Sequence, residues 1–382
     1  MDRRSFSRNV AAAGIGLGLV TSAARAQSSD AAIGSAGSGR SEEGGMRSGK
    51  LFTTTNSAAG NELLVIGADP NGAPALLVRY QTFGLGSGAG LGSQGAVTLS
   101  DDGRHLYAVN AGSNTVSVFA VRAGVLTLVS LHDSGGLHPI SVTESDGIVY
   151  VLNDGGAGNI AGFRNERGTL QPIAGSVRPL SAAGGTGPAQ VSIGTDGDVL
   201  VVTEKTTNRL VTYALSNNGR AGPPQVSASA GTTPFGFAFD RRNRLLVSEA
   251  AASSLSSYRF DDRAPTGPIL ISAAVPNGQA AACWAAATPN GRSVYTGNAG
   301  TSSISQYAID RRGAVTLVNG AAGSTAGGGA GDIAIASHGR TLSILAPRAP
   351  GVFSFSVAAD GSLTPAGSVA GLPAGVVGLA AN

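Results

Sequence analysis

Few side chains in this sequence are equipped for acid–base chemistry, and the best placed of them recur at regular distances. Asn56, Asn110, Asn153, Glu204, Glu249 and Asn298 each close a short apolar run, with successive members 43 to 54 residues apart. Lys205 follows Glu204, and Gln94 precedes another apolar run. Of the four histidines, only His138, in Gly135-Gly136-Leu137-His138-Pro139, stands directly before such a run. Gathered at one place, an imidazole, two carboxylates, an ammonium and several carboxamides would form a hydrolytic site. Such a site needs a base to take a proton from water and donors for a tetrahedral oxyanion. Glu204 or His138 is expected as the base. Gln94, Asn110, Asn153, Lys205, Glu249 and Asn298 are expected to bind the substrate. The plainer role for each Asn is a hydrogen bond to the next turn, and for the two Glu a place in the scaffold.

Two Glu among several Asn also make the oxygen-rich set that a divalent cation prefers. No ligand spacing supports one, and no metal or cofactor is expected. Cys283, the single cysteine, lies beside Trp284 at the start of an apolar run. A cysteine nucleophile would need a base partner, and a small buried residue is the simpler reading. No G-x-S-x-G or H-E-x-x-H is present. Residues 90–95 match G-x-G-x-x-G by letters but lead into an alternating run rather than a helix, so they are no dinucleotide fingerprint. They read instead as part of a glycine-rich loop, 84–95, lying over one face of the fold. Residues 323–331 read as a similar loop.

The elements that must position these residues form a repeat. After Gln94 come GAVTLS, a turn Asp101-Asp102-Gly103-Arg104, HLYAVN, AGSN, TVSVFAV, a glycine turn and LTLVSLH. Short apolar runs separated by Asp-Gly or Asn-Gly turns signal strands joined by tight hairpins. This is a four-stranded antiparallel meander, with strands A to D. Ends of strand B are expected at Asn56, Asn110, Asn153, Glu204, Glu249, Asn298 and Ala346. Strand C is expected to end on an aromatic at Phe119, Phe163, Tyr213, Tyr258, Tyr307 and Phe355, with Ile66 in the first copy. A period of 40–50 residues holding four strands marks a β-propeller blade. The first copy, from Lys50, lacks strand A, and the chain ends in a lone strand A after Pro373. The predicted fold is therefore all-β, a seven-bladed propeller over 50–382 closed by its C-terminal strand, which leaves no open edge. Because strand A starts and strand B ends on the same face, His138, Gln94 and the strand-B residues all belong to one mouth of the central channel. His105 and His338 fall on the opposite face.

Ahead of the repeat, residues 1–26 read as a signal peptide. Arg3-Arg4-Ser5-Phe6 lies in a charged start, an uncharged stretch follows, and Ala24-Arg25-Ala26 offers a cleavage site. The pattern resembles a twin-arginine export signal, which predicts a periplasmic or secreted protein. Residues 27–49 are a Ser/Gly-rich linker. The 382 residues carry a formal charge of +3, but residues 1–26 hold four Arg and one Asp, so the processed chain is neutral with 22 basic and 22 acidic residues. Neither nucleic acid nor an anionic membrane surface is expected as a partner, and no membrane span remains once the signal is removed. Only 13% of residues are charged while 42% are hydrophobic, which excludes a disordered polyelectrolyte and a coiled coil. A monomer is expected.

The blocks DDGRHLYAVNAGSNTVSVF, TPFGFAFDRRNRLLVSEA and TPNGRSVYTGNAG resemble the seven-bladed lactonase family, which includes 6-phosphogluconolactonase and carboxymuconate cyclase. The resemblance covers about residues 50–382, rests on structural repeats, and implies hydrolysis of a lactone or the reverse-type cyclisation. An exported enzyme would not meet a cytosolic sugar phosphate, and the mouth offers no arginine cluster for one. The expected partner is thus an unphosphorylated lactone or a carboxylated organic acid. The alternative is a non-enzymatic periplasmic propeller that binds or scaffolds another molecule. A quinone- or metal-bearing redox propeller is disfavoured by the single Trp and single Cys.

Overall fold

The computed structural model describes residues 49–382 apart from 123–124, 262–263 and 337. The expected signal peptide, nearly all of the linker and the predicted C–D turn at Gly124 lie outside the described residues. Seven antiparallel sheets follow one another along the chain. Blade 2 runs from inner to outer strand as Val97–Leu99, His105–Asn110, Thr115–Arg122 and Val125–Asp133. The inner strands of blades 3 to 7 are Pro139–Ser145, Pro188–Ile193, Pro234–Phe239, Ala282–Ala287 and Ile333–Ile335. Blade 1 takes its inner strand from the far end of the sequence: Val377–Ala381 pairs with Leu51–Thr54, aligning Ala381 with Leu51. The closure read from the sequence is therefore present.

Three details depart from that reading. Strand C runs one to three residues past the position expected to end it, as in Thr115–Arg122 beyond Phe119, because its hairpin with strand D continues there. The second strand of blade 1 stops at Thr54, two residues before Asn56. In blade 3 the outer position is split between Thr169–Pro172 and Arg178–Pro179.

The local chemistry explains why the runs become strands. Asp146 and Gly147 take φ of 49° and 77°, as a two-residue hairpin with both central residues left-handed requires. Second strands such as Val199–Glu204 are buried along their whole length, because a neighbouring blade covers each face of the sheet. Their sequences are accordingly continuous apolar runs rather than alternating ones. The outer strand Val125–Asp133 alternates between exposed and covered positions. Tyrosines stitch blades together: Tyr150 donates to Gly219 O at 2.7 Å and Tyr295 to Gly361 O at 2.6 Å, each reaching the C–D turn of the next blade. A buried phenol needs such a partner.

Candidate functional site at the channel mouth

Blades 3 to 6 repeat one backbone contact at the mouth. The residue before the inner strand accepts, through its carbonyl, a hydrogen bond from the N–H of the residue just past strand B. In blade 3 the pair is His138 and Asp154 at 3.0 Å; in blade 4, Gly187 and Lys205 at 2.9 Å. In blades 5 and 6 it is Thr233 with Ala250 and Ala281 with Ala299, both at 2.8 Å. His138, Thr233 and Ala281 share the left-handed conformation, with φ of 54°, 60° and 57°. The conformation of His138 is thus a property of the repeat, held by Asn114 Oδ1, which accepts its N–H at 2.7 Å. Asn208 Oδ1 holds Thr233 in the same way at 2.6 Å. The backbone accepts Thr or Ala at this position, so the imidazole is not demanded by the fold.

His138, Asp154 and Lys205 form one electrostatic group. Burial pushes the Asp154 carboxyl above the usual carboxylate range, opposed by the positive charges of Lys205 and His138. Burial pushes Lys205 below the usual ammonium range, opposed by Asp154 and then by Cys283. The Lys205 ammonium donates to Gly92 O and lies 5.1 Å from the centre of the Phe235 ring, a cation–π contact. Beneath it lies an apolar floor of Ala189, Phe235, Ala250 and Cys283, joined by Trp284. Trp284 meets Phe235 edge-on at 5.3 Å. Burial raises the Cys283 thiol to about 11, so at neutral pH it is a thiol, in keeping with a packing role.

The ends of strand B behave differently. Glu204 is fully buried, and its carboxylate is enclosed by donors. Ser181 N–H gives to Oε1 at 2.9 Å, the Ser181 hydroxyl gives to Oε2, and Thr207 Oγ1 gives to Oε2 at 2.5 Å. This corrects the expectation that Glu204 faces the mouth as a base. Asn110 and Asn298 are also fully buried. Asn110 donates to Thr115 and Ser117 and accepts from Asn61. Asn298 donates to Ser303 and Ser305 and accepts from Asn277. Asn153 donates to Ser134 O at 3.2 Å, and its Oδ1 has no partner among the described residues. Glu249 accepts at Oε1 from Ser229 Oγ at 2.7 Å and Gly231 N–H at 3.2 Å. Its Oε2 lacks a well-formed bond, although the Ser256 hydroxyl lies close enough to favour the ionised form. Burial nonetheless pushes this carboxyl up. Asn153, Glu204, Glu249 and Asn298 bond to the loop entering their blade, and Asn110 ties its blade to Asn61 of blade 1, so all five have scaffold partners.

Gln94 also turns away from substrate binding. It lies at the tip of the glycine-rich 82–96 loop, which dips into the channel. Its Nε2 donates to Ala285 O at 2.8 Å and its Oε1 accepts Ala285 N–H at 3.0 Å. Blade 6, which carries Ala285, lies across the channel from blade 2. The main chain of the strap is pinned alongside: Gln94 N–H donates to Ala189 O at 3.0 Å, and Trp284 Nε1 donates to Ser93 O at 3.0 Å. Asn56, placed among the mouth residues by its spacing, anchors the root of the same loop. It accepts from Ser87 N–H at 2.8 Å and donates to Ala89 O at 2.5 Å.

Two further residues escaped the sequence reading. Asp154 follows a strand-B end, as Lys205 does, and the same count would have found it. Asp332 immediately precedes the inner strand of blade 7 and directly follows the run 323–331 read as a flexible loop. Its Oδ1 accepts Gly95 N–H at 3.1 Å and its Oδ2 accepts Gly378 N–H at 3.2 Å. Burial raises it to about 7. It fastens the strap from within the channel. Among the described residues no group of three or more His, Cys, Asp or Glu is arranged to hold a metal.

A family model described as "Lactonase, 7-bladed beta-propeller" matches residues 79–178 and 163–269. Among curated proteins there is no sequence match. Solved structures share the fold. The periplasmic gluconolactonase of Pseudomonas aeruginosa is 17% identical with a TM-score of 0.68, over 86% of this chain and 98% of that one. A Bacteroides fragilis protein provisionally described as a 6-phosphogluconolactonase is 18% identical with a TM-score of 0.65, over 88% and 99%. A functionally unknown protein from Desulfotomaculum acetoxidans is 15% identical with a TM-score of 0.68, over 87% and 99%. At such identities the likeness is one of fold, and the chemistry must be argued from the side chains at the mouth.

Proposed function

The chain belongs to the lactonase family of seven-bladed β-propellers, and from that premise we propose that it opens an unphosphorylated lactone, or runs the corresponding ring closure, at the mouth bounded by His138, Asp154 and Lys205. One observation carries this reading. Among the four blades that share this backbone contact, charge stands at blades 3 and 4, at positions that blades 5 and 6 fill with Thr and Ala on the same backbone.

In this reading His138 takes the proton from the attacking water, and Asp154 stabilises the imidazolium that results. The Lys205 ammonium, partly stripped of water and already directed at an oxygen of Gly92, supports the oxyanion as the ester carbonyl becomes tetrahedral. The apolar floor of Phe235, Ala250 and Trp284 receives the carbon face of the ring. A single ammonium, rather than a pair of guanidinium forks, favours a substrate without phosphate. The likeness to a periplasmic gluconolactonase supports the same class. Residues 1–26, with Arg3 and Arg4, support export.

The test is proton release from a panel of unphosphorylated lactones by the chain from Gln27, with His138→Ala and Lys205→Met beside it. Hydrolysis lost in both variants while the fold is kept is the expected result. A folded protein silent on the whole panel would overturn the reading and favour a binding propeller. Export is tested by cell fractionation: the processed chain is expected in the periplasm, and Arg3→Lys with Arg4→Lys should retain it in the cytoplasm.

A further inference from the structure

On the face opposite the mouth, three turns converge between blades 5 and 6: the A–B turn of blade 5 with Arg241 and Arg242, the A–B turn of blade 6 with Asn290, Gly291 and Arg292, and the C–D turn of blade 6 with Asp310 and Arg311. Together they line a groove of about 490 Å³. We propose that this groove binds a small, multiply charged phosphate ligand such as a di- or triphosphate, separately from the lactone site.

The carboxylates nearby are already committed. Asp240, at the base of the blade 5 turn, accepts Arg244 Nε at 2.7 Å and the N–H of Arg242 at 2.9 Å. Arg244, buried with it, forms their ion pair. Asp310 accepts the N–H groups of Arg312 and Ala314, each at 2.8 Å, and these bonds hold its carboxyl below the usual range. Among the described residues, Arg241, Arg242, Arg292 and Arg311 form no ion pair with any carboxylate. Four guanidinium groups thus share one concavity with a single carboxylate, Asp310, among its lining residues, which leaves an excess of positive charge in a processed chain that is neutral as a whole. That repulsion brings no packing benefit, since all four residues are exposed. A cleft lined by one sign of charge concentrates ions of the opposite sign.

The cations are also held in place. The Arg241 side chain lies across Gly291, where a Cβ would come within 3.2 Å of its Cγ and 3.4 Å of its Nε. A side chain at 291 would crowd that approach, and Gly291 also takes a left-handed φ of 65°. Arg242 is directed by its bond to Arg311 O at 2.9 Å, which links two of the three turns. Guanidinium forks match phosphate oxygens two at a time, as lysine cannot. Four of them around a groove larger than one tetrahedral ion fit a chain of phosphates better than a single one.

The experiment is calorimetric titration of the chain from Gln27 with pyrophosphate, tripolyphosphate and the tricarboxylate tricarballylate at low salt, with phosphatidylglycerol vesicles as a separate arm. Arg241→Ala with Arg292→Ala is the test variant. Arg104→Ala, on the same face but in blade 2 beside its own Asp102, is the control. Saturable tripolyphosphate binding that weakens at least tenfold in the double variant, is unchanged in the control and declines with salt is the expected result. Since the replaced side chains are exposed, the melting temperature of the double variant should match that of the parent, which separates lost binding from lost fold. No saturable binding, equal binding by the double variant, or tricarballylate binding as tight as tripolyphosphate would each overturn the proposal. So would binding confined to vesicles.

Discussion

Blades 3 and 4 and blades 5 and 6 build the channel mouth from the same backbone, yet one pair is charged and the other is not. The contact from His138 O to Asp154 N–H has its counterpart in Thr233 O to Ala250 N–H, with the same left-handed residue before the inner strand. Because the backbone does the same work in both halves, the imidazole, carboxylate and ammonium of the charged half are surplus to folding. The strand-B ends teach the converse. Glu204 and Glu249 hold equivalent places in blades 4 and 5, and both are consumed by the scaffold, Glu204 more completely.

Three measurements would sharpen or break this contrast. The largest effect is expected on turnover: His138→Ala or Lys205→Met should cost about 100-fold or more in lactone hydrolysis. Thr233→Ala and Ala281→Ser, at the matching sites of the uncharged half, should change it less than about twofold. If the Thr233 and Ala281 variants fell as far, the two halves would not differ in role. Next, Glu204→Ala should lower the unfolding free energy by about 2–3 kcal/mol, because it strands the buried Ser181 and Thr207 donors; chemical denaturation measures it. The smallest effect is expected for Glu249→Gln, within about 1 kcal/mol at neutral pH, with a signature in pH. The folded state raises the Glu249 carboxyl, so it binds the proton more tightly than the unfolded chain does. Its contribution to stability is full below the ordinary glutamate range and is lost as pH rises through the raised value. Glu249→Gln should flatten that decline between acidic and neutral pH, which denaturation at several pH values would show.

The blades were legible in the sequence because turn chemistry and buried strands leave local marks. Asp146-Gly147 and Asn290-Gly291 each announce a hairpin, and VLVVTE, set between such turns, forms a strand buried along its whole length. The direction of individual side chains was harder to read. Glu204 and Lys205 are neighbours, and counting along the repeat delivers both to the same face. Glu204 is the last residue of its strand and stays in the buried seam, while Lys205 is the first residue of the turn beyond it and reaches the mouth. The role of Gln94 left no local mark at all, since its partner Ala285 lies 191 residues away. Asp332 hid for the same reason, in a glycine-rich run whose partners Gly95 and Gly378 come from other blades.

The strap from 82 to 96 has a consequence for the traffic of molecules. With Gln94 sewn to the far wall and Asp332 fastening Gly95, the strap spans the channel from blade 2 to blade 6. In the proposed reaction, the acid released by ring opening must leave past Lys205 by the mouth through which the lactone entered. The product and the next substrate therefore contend for the same threshold, and accumulated hydroxy acid should act as a competitive inhibitor.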